Sequence, residues 1–300
     1  KGQTIFNAQE KQMKEYITLK EEQLLHKKEL DKYINKKAIT KDNVLFTLMA
    51  NIGSVEELKN VIEQGADGIG LLRTEFLFMQ AQDRNELLSE EEQYNIYSKI
   101  LSEMGDKPVI IRTLDAGGDK VLQSLELKNE VEANPLLGNR AIRFCLSHED
   151  IFRTQLRALY RASIYGNLKI MIPLISVEEQ IIQAKKIIEQ VKEELLNENQ
   201  DIKTDVPVGI MIETPSAAIC ADRLAKHCDF FSIGTNDLTQ YTLAVDRENL
   251  LVSNIFDDLN PAVVLLIKHT FECAKKADID VSVCGELAGQ LEGIKILGGI

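Results

Sequence analysis

No Cys-x-x-Cys pair occurs in this chain of 300 residues. Its five cysteines, Cys145, Cys220, Cys228, Cys273 and Cys284, are an odd number without metal-ligand spacing, so neither a disulfide framework nor a zinc site is signalled. A reducing cytoplasm is the expected home. Long apolar runs are missing too: the most apolar stretches, 169–175 and 206–212, fall far short of the roughly 20 residues that a membrane-spanning helix needs. No signal peptide is expected at the start, where Lys1 to Glu22 alternates charges of both signs. Positive charge is in deficit, with 35 Lys and Arg against 47 Asp and Glu and a net charge of −12. That balance argues against a broad nucleic-acid surface but leaves room for an anionic small molecule, because local arginines can dominate one pocket.

What is present is enough apolar material, 44% of residues, for one barrel domain or two smaller domains. Residues 8–37 contain no Gly or Pro and are rich in Lys, Glu and Gln, the pattern of a polar helix. After it, β-prone apolar runs recur at 44–52, 68–75, 108–115, 169–175, 206–214, 230–237 and 280–287. Helical patterns separate most of them. The clearest is Val177, Ile181, Ala184, Ile188, Val191 and Leu195, which share one face of a long helix, and Ile151, Phe152, Leu156, Leu159 and Tyr160 mark another. Seven βα-type units in series predict an α/β fold with a parallel sheet. The expectation is a (β/α)8 TIM barrel lacking its eighth βα unit, since the sequence stops at Leu297-Gly298-Gly299-Ile300 just after a short helical pattern. An open doubly wound sheet is the alternative.

Chemistry in such folds gathers at the C-terminal tips of the strands, and these tips are polar. They read Arg73-Thr74-Glu75, Arg112-Thr113-Leu114-Asp115, Glu213-Thr214-Pro215, Asn236-Asp237 and Cys284-Gly285-Glu286, with Arg247 ten residues beyond Asp237. A lone arginine at a strand end is usually a structural ion pair, but arginines recurring at equivalent tips point to an anion site. Glu213 and Asp237, expected to stay ionised beside them, suit a hard cation such as Mg²⁺. Glu75, Asp115 and Glu286 read as partners that orient the arginines. Cys284 stands at a strand tip followed by Gly-Glu, where a neutral thiol can donate a proton to carbon. The other four cysteines fall in helical patterns and read as small buried hydrophobes. None of the four histidines, His26, His148, His227 and His269, sits at a tip. The stretch from Asp115 to His148 reads as a long functional loop. It carries Gly117-Gly118-Asp119-Lys120 and then Asn134 to Arg143, in which Arg140 is expected to face the mouth and Arg143 to be structural.

Five segments together carry a resemblance. Gly68-Ile-Gly-Leu-Leu-Arg-Thr-Glu-Phe-Leu-Phe-Met79, Ile111-Arg-Thr-Leu-Asp-Ala-Gly-Gly-Asp-Lys120, Asn134-Pro-Leu-Leu-Gly-Asn-Arg-Ala-Ile-Arg143, Phe231-Ser-Ile-Gly-Thr-Asn-Asp-Leu-Thr-Gln-Tyr241 and Cys284-Gly-Glu-Leu-Ala-Gly289 resemble the C-terminal domain of the Enzyme I family, the phosphoenolpyruvate-protein phosphotransferases of bacterial sugar phosphotransferase systems. By that resemblance residues 1–40 are an interdomain linker helix and 41–300 a phosphoenolpyruvate-binding barrel domain. It implies that Arg73, Arg112, Arg247, Asn236 and Arg140 bind the phosphate and carboxylate of phosphoenolpyruvate, beside Asp237. It further implies that Glu213 and Asp237 hold Mg²⁺ and that Cys284 protonates the methylene carbon as pyruvate forms. The implied partners are a phosphohistidine domain in a Gly-Gly-x-Thr-Ser-His context, absent from these residues, the phosphocarrier protein HPr, and a second copy in a homodimer. One departure is Glu248, where the family commonly has Gly. Rival readings are pyruvate phosphate dikinase or phosphoenolpyruvate synthase, a Mg²⁺-dependent aldolase or lyase acting on a pyruvate-like enolate, and a noncatalytic phosphoenolpyruvate-sensing dimerisation module.

Overall fold

The computed structural model of the chain describes residues 6–34, 36–82, 87–116 and 132–300. The Gly117 to Lys120 motif lies outside them. The chain divides into two compact units, Lys1–Leu48 with Lys59–Ala66 and Met49–Leu58 with Asp67–Ile300.

In the first unit the Gly- and Pro-free stretch forms a helix, Glu10–Leu30, and a 3-10 turn, Asp31–Tyr33. Most of its side chains are exposed, so within the unit helix propensity rather than a buried face accounts for it. A two-stranded antiparallel hairpin follows, β1 at Ala38–Ile39 and β2 at Leu45–Phe46. Thr40 Oγ1 accepts the Val44 N–H at 2.9 Å and closes its turn.

The second unit is built on seven parallel strands in sequence order: β3 Ala50–Ile52, β4 Ile69–Arg73, β5 Pro108–Arg112, β6 Asn167–Ile172, β7 Val208–Ile212, β8 Phe230–Ile233 and β9 Asp280–Val283. Each pairs with the next, and the sheet curls into a half-barrel. The central strands are apolar on both faces because helices cover the outside while the curl buries the inside. Leu71, Ile110, Met171, Met211 and Phe230, one from each of β4 to β8, form the interior floor, and Cys284 packs against it. Outside, the helices Glu90–Met104, Glu149–Ala162 and Glu178–Asn197 lay their apolar stripes inward. Ser89 starts the first of them with a capping box, its Oγ accepting the Glu92 N–H. Arg157 and Arg161 both reach Glu90 at 2.7 Å, and Arg157 also holds Glu198 at 2.7 Å, tying the three helices together.

Three details depart from the sequence reading. The run 44–52 is two pieces, β2 and β3, in different units. Val177 is the N-cap of its helix and 55% exposed, so the buried stripe begins at Ile181. Cys220 lies at the junction of two short helices and is exposed, and Cys228 sits in the turn before β8; only Cys145 and Cys273 are helical and buried.

Candidate active site

The predicted tips of β4, β5, β7, β8 and β9 converge on one cavity of 180 Å³. Arg73, Arg112, Asp115, Arg140, Glu213, Asn236, Asp237, Arg247, Cys284 and Glu286 all line it. The residues expected to bind substrate or metal or to donate the proton are thus all at the mouth, while Glu75 is not among its lining residues. Leu71 and Met211 form its apolar floor, and Asn51 completes the wall.

Asp115 is the hub of the positive side. Its Oδ2 meets Arg112 Nη1 at 2.9 Å and its Oδ1 meets Arg140 Nη2 at 2.8 Å. Glu75 Oε1 accepts both Arg112 Nη2, at 2.8 Å, and the Asp115 N–H, at 3.1 Å. Burial works against ionisation of Asp115, but Arg112 and Arg140 outweigh it and hold the carboxyl below its usual range. Burial equally works against the Arg112 charge, and Asp115, Glu75 and Glu213 overcome it, so its pKa is raised. Glu75 differs: burial dominates, and its pKa is raised. Arg112 is thereby fixed through both terminal nitrogens while its Nε is buried without a hydrogen-bond partner among the described residues. Arg73 is exposed, and its guanidinium lies 5.7 Å over the Phe76 ring. Arg247 reaches Asp237 Oδ1 at 3.7 Å, and Arg140 reaches Asp237 Oδ2 at 3.4 Å. Arg143 instead holds the Leu137 and Gly138 carbonyls and Ser176, which ties down the loop that presents Arg140. Glu286 holds no arginine among the described residues; it donates its backbone N–H to Asn236 Oδ1 at 2.9 Å. That bond assigns the amide orientation and leaves the Asn236 NH2 as a donor for the cavity. Glu248 is exposed and lies off the cavity lining.

Glu213 is 2% exposed, and its Oε1 accepts the Leu174 N–H at 2.6 Å. Leu174 presents that N–H from a left-handed conformation, φ +55°, a strained geometry for a branched side chain. Gly234 makes room beside the carboxyl, where a Cβ would come within 3.0 Å of Glu213 Oε2. At Gly285 a Cβ would come within 2.6 Å of the Thr235 backbone nitrogen, so the Cys284–Glu286 turn can press against the first turn of the Thr235–Leu243 helix. The expectation that the neighbouring arginines lower the Glu213 pKa is corrected. Burial, with Asp115 and Asp237 adding like charge, raises its pKa well above the usual value despite Arg112.

The donor set nevertheless suits a hard cation. Two carboxylates at neighbouring tips match Mg²⁺, which takes few protein ligands and leaves positions for substrate oxygens. No cluster of three or more His, Cys, Asp or Glu that could cage a metal occurs among the described residues. Cys284 meets the carbonyl of Ile233 at 3.6 Å. Burial pushes its thiol up to about 11, so it is neutral near pH 7. The sequence reading missed Asn51, the middle residue of β3, which donates Nδ2 to the Cys284 carbonyl at 2.9 Å.

A family model for the PEP-binding domain of PEP-utilising enzymes matches residues 27–300. The chain belongs to the PEP-utilising enzyme family. Among curated members, the phosphoenolpyruvate-protein phosphotransferases of Priestia megaterium and Staphylococcus aureus are each 47% identical over 299 residues, covering 100% of this chain and 51% of theirs. That of Bacillus subtilis is 46% identical over 299 residues and is covered to 52%. The chain thus spans about half the length of these PEP-utilising relatives. Among solved structures, an aldolase/citrate lyase family protein from Burkholderia cenocepacia aligns over 85% of this chain and 83% of its own, with 12% identity and a TM-score of 0.47, too distant to bear on the site.

Proposed function

We propose that this domain binds phosphoenolpyruvate and Mg²⁺ and serves as the substrate-binding part of a phosphoenolpyruvate-protein phosphotransferase. The observation that carries the reading is the convergence of four arginines, two candidate metal carboxylates and a neutral thiol on one cavity with an apolar floor. Arg73, Arg112, Arg140 and Arg247, with the Asn236 NH2, grip the phosphate and carboxylate. Asp115 and Glu75 keep the Arg112 fork oriented, so little ordering is left for the moment of binding. Glu213 and Asp237 would hold Mg²⁺, which supplies charge neutralisation at the phosphoryl group when bound. The P–O bond to the enol oxygen breaks as a histidine nitrogen outside these residues takes the phosphoryl group. The enolate carbon then takes the Cys284 proton, giving pyruvate, and solvent reprotonates the thiolate. A thiol raised to about 11 suits this proton transfer, because it stays protonated until the strongly basic carbon appears.

The names and near-complete chain coverage of the relatives favour this reading over dikinase or synthase. Four arginines exceed what the single carboxylate of a lyase's enolate requires. With the reading go a (β/α)8-type barrel lacking its eighth βα unit in these residues, residues 1–40 as linker and 41–300 as barrel domain, a homodimer, a cytoplasmic setting, and passage of the phosphoryl group to HPr. Among the described residues no helix is long and apolar enough to cross a membrane. The test is complementation: this chain, a separately produced phosphoacceptor domain of the Bacillus subtilis relative, Mg²⁺ and phosphoenolpyruvate are mixed. Pyruvate release with stoichiometric histidine phosphorylation supports the proposal, and tight substrate binding without any phosphorylation overturns it.

A further inference from the structure

The paired ladder between β4 and β5 ends at Arg73 and Arg112. Beyond that pair the two tips no longer bond each other's backbone, although Thr113 N–H still reaches the Met171 carbonyl of β6 at 2.9 Å, and they carry Glu75 and Asp115 as well as the arginines. Between Thr113 and Asp115, the Leu114 backbone is held by a side chain from the outer layer. Gln155, in the helix Glu149–Ala162, is 1% exposed, and its Oε1 accepts the Leu114 N–H at 2.9 Å. Its Nε2 donates to Thr74 Oγ1 and to Tyr97 OH, both at 3.3 Å. The direction of every proton follows. Thr74 Oγ1 passes its own hydrogen to the Arg112 carbonyl at 3.0 Å, and Tyr97 OH donates to Gln93 Oε1 at 3.1 Å. Gln93 Nε2 in turn donates to the Leu88 carbonyl at 3.0 Å. Thr74, Gln93, Tyr97, Leu114 and Gln155 are all buried. Solvent therefore cannot replace a lost member, and each group has a partner of the right sense.

We infer that Gln155 is a positioning residue for the anion site: one amide latches the tips after β4 and β5 and sets the spacing of Arg73, Glu75, Arg112 and Asp115. It touches no substrate and acts through Thr74 and Leu114. Thr74 lies between Arg73 and Glu75, and Leu114 directly precedes Asp115, so a shift of either tip moves a charged group at the mouth. The Glu75–Arg112–Asp115 clasp spans the same two tips, so its geometry depends on their spacing. The inference deepens the substrate reading above and rests on it.

The test is calorimetric titration of this chain with phosphoenolpyruvate in the presence of Mg²⁺, well below the melting point of every variant used. Gln155→Leu is expected to weaken binding about tenfold, since misplacing charged donors by a fraction of an ångström carries that order of penalty. Ile188→Ala, which removes buried side-chain bulk from the adjoining helix without touching the Gln155 hydrogen bonds, lowers the melting temperature without changing the dissociation constant. Thr74→Val reproduces the weakening while Thr74→Ser retains wild-type affinity, a pair that reads out even if Gln155→Leu does not fold. The double variant Thr74→Val with Gln155→Leu is no weaker than Gln155→Leu alone within about twofold, as expected for residues acting in series. Wild-type affinity in Gln155→Leu, or in Thr74→Val, overturns the positioning role. Absence of binding in the wild-type chain instead overturns the substrate reading.

Discussion

Replacing Asp115 by Asn tests whether one buried carboxylate organises the positive wall. The carboxylate makes two charge-assisted contacts, 2.9 Å to Arg112 and 2.8 Å to Arg140, and its side chain is only 5% exposed. Each such bond contributes on the order of 1.5–3 kcal/mol. Asn keeps one acceptor oxygen for one guanidinium and turns an NH2 toward the other, donor against donor. The damage is limited because Arg112 retains Glu75 at 2.8 Å and Arg140 retains Asp237 at 3.4 Å. The expected loss is therefore about 2–3 kcal/mol, below the 3–5 typical of stripping a buried charge of its only partner. For a domain of this size that lowers the melting temperature by roughly 4–10 °C. The pH dependence identifies the cause. Asp115 has a folded pKa below its unfolded value of about 3.9, so its contribution is complete above pH 4 and disappears as pH falls through the folded value. Urea denaturation of both proteins between pH 3 and pH 7 should show a level difference from pH 7 to about 4 and a shrinking one below. A difference under about 0.5 kcal/mol at pH 7, the range of an ordinary surface substitution, or one constant down to pH 3, refutes the reasoning.

Cys284 gives a second prediction. In a Cys220→Ala background, which removes the exposed thiol, its alkylation by iodoacetamide should accelerate with pH past 9 without levelling, because the thiol titrates near about 11. A plateau by pH 9 would contradict the neutral-thiol role. Asn236→Asp keeps an acceptor for the Glu286 N–H but replaces the NH2 donor with negative charge. It should leave the melting temperature nearly unchanged and weaken phosphoenolpyruvate binding by more than about 30-fold, the factor for roughly 2 kcal/mol. Equal affinity would remove Asn236 from the phosphate site.

Much of this site was legible because parallel strands buried on both faces read as unbroken apolar runs, so the polar residue that ends each run marks a tip. Arg73, Arg112, Glu213, Asp237 and Cys284 follow from that rule without any structure. Asn51 escaped it because β3 is only Ala50–Ile52 and its neighbour Ile52 continues the apolar run past the polar residue. Gln155 escaped because one polar residue in an amphipathic helix reads as solvent-facing. Its place four residues after Ile151 and four before Leu159 puts it on the buried stripe, and a polar group there is the signal that was available. The raised pKa of Glu213 was not legible, since it depends on the depth of the carboxyl and on which charges face it. Arginines counted along the sequence do not tell that Arg112 and the Leu174 N–H are outweighed by the burial and the two neighbouring acids.

A metal-dependent phosphoenolpyruvate site at these strand tips, as proposed above, is open to direct measurement. Isothermal titration of the 300-residue chain with phosphoenolpyruvate, with Mg²⁺ and with EDTA in its place, tests it most directly. One site per chain is expected, with an affinity at least about tenfold weaker in EDTA, as loss of a bound cation worth about 1.4 kcal/mol or more implies, and no measurable binding by a folded Arg112→Met variant. A folded wild-type chain that gives no heat at millimolar phosphoenolpyruvate with Mg²⁺ contradicts it.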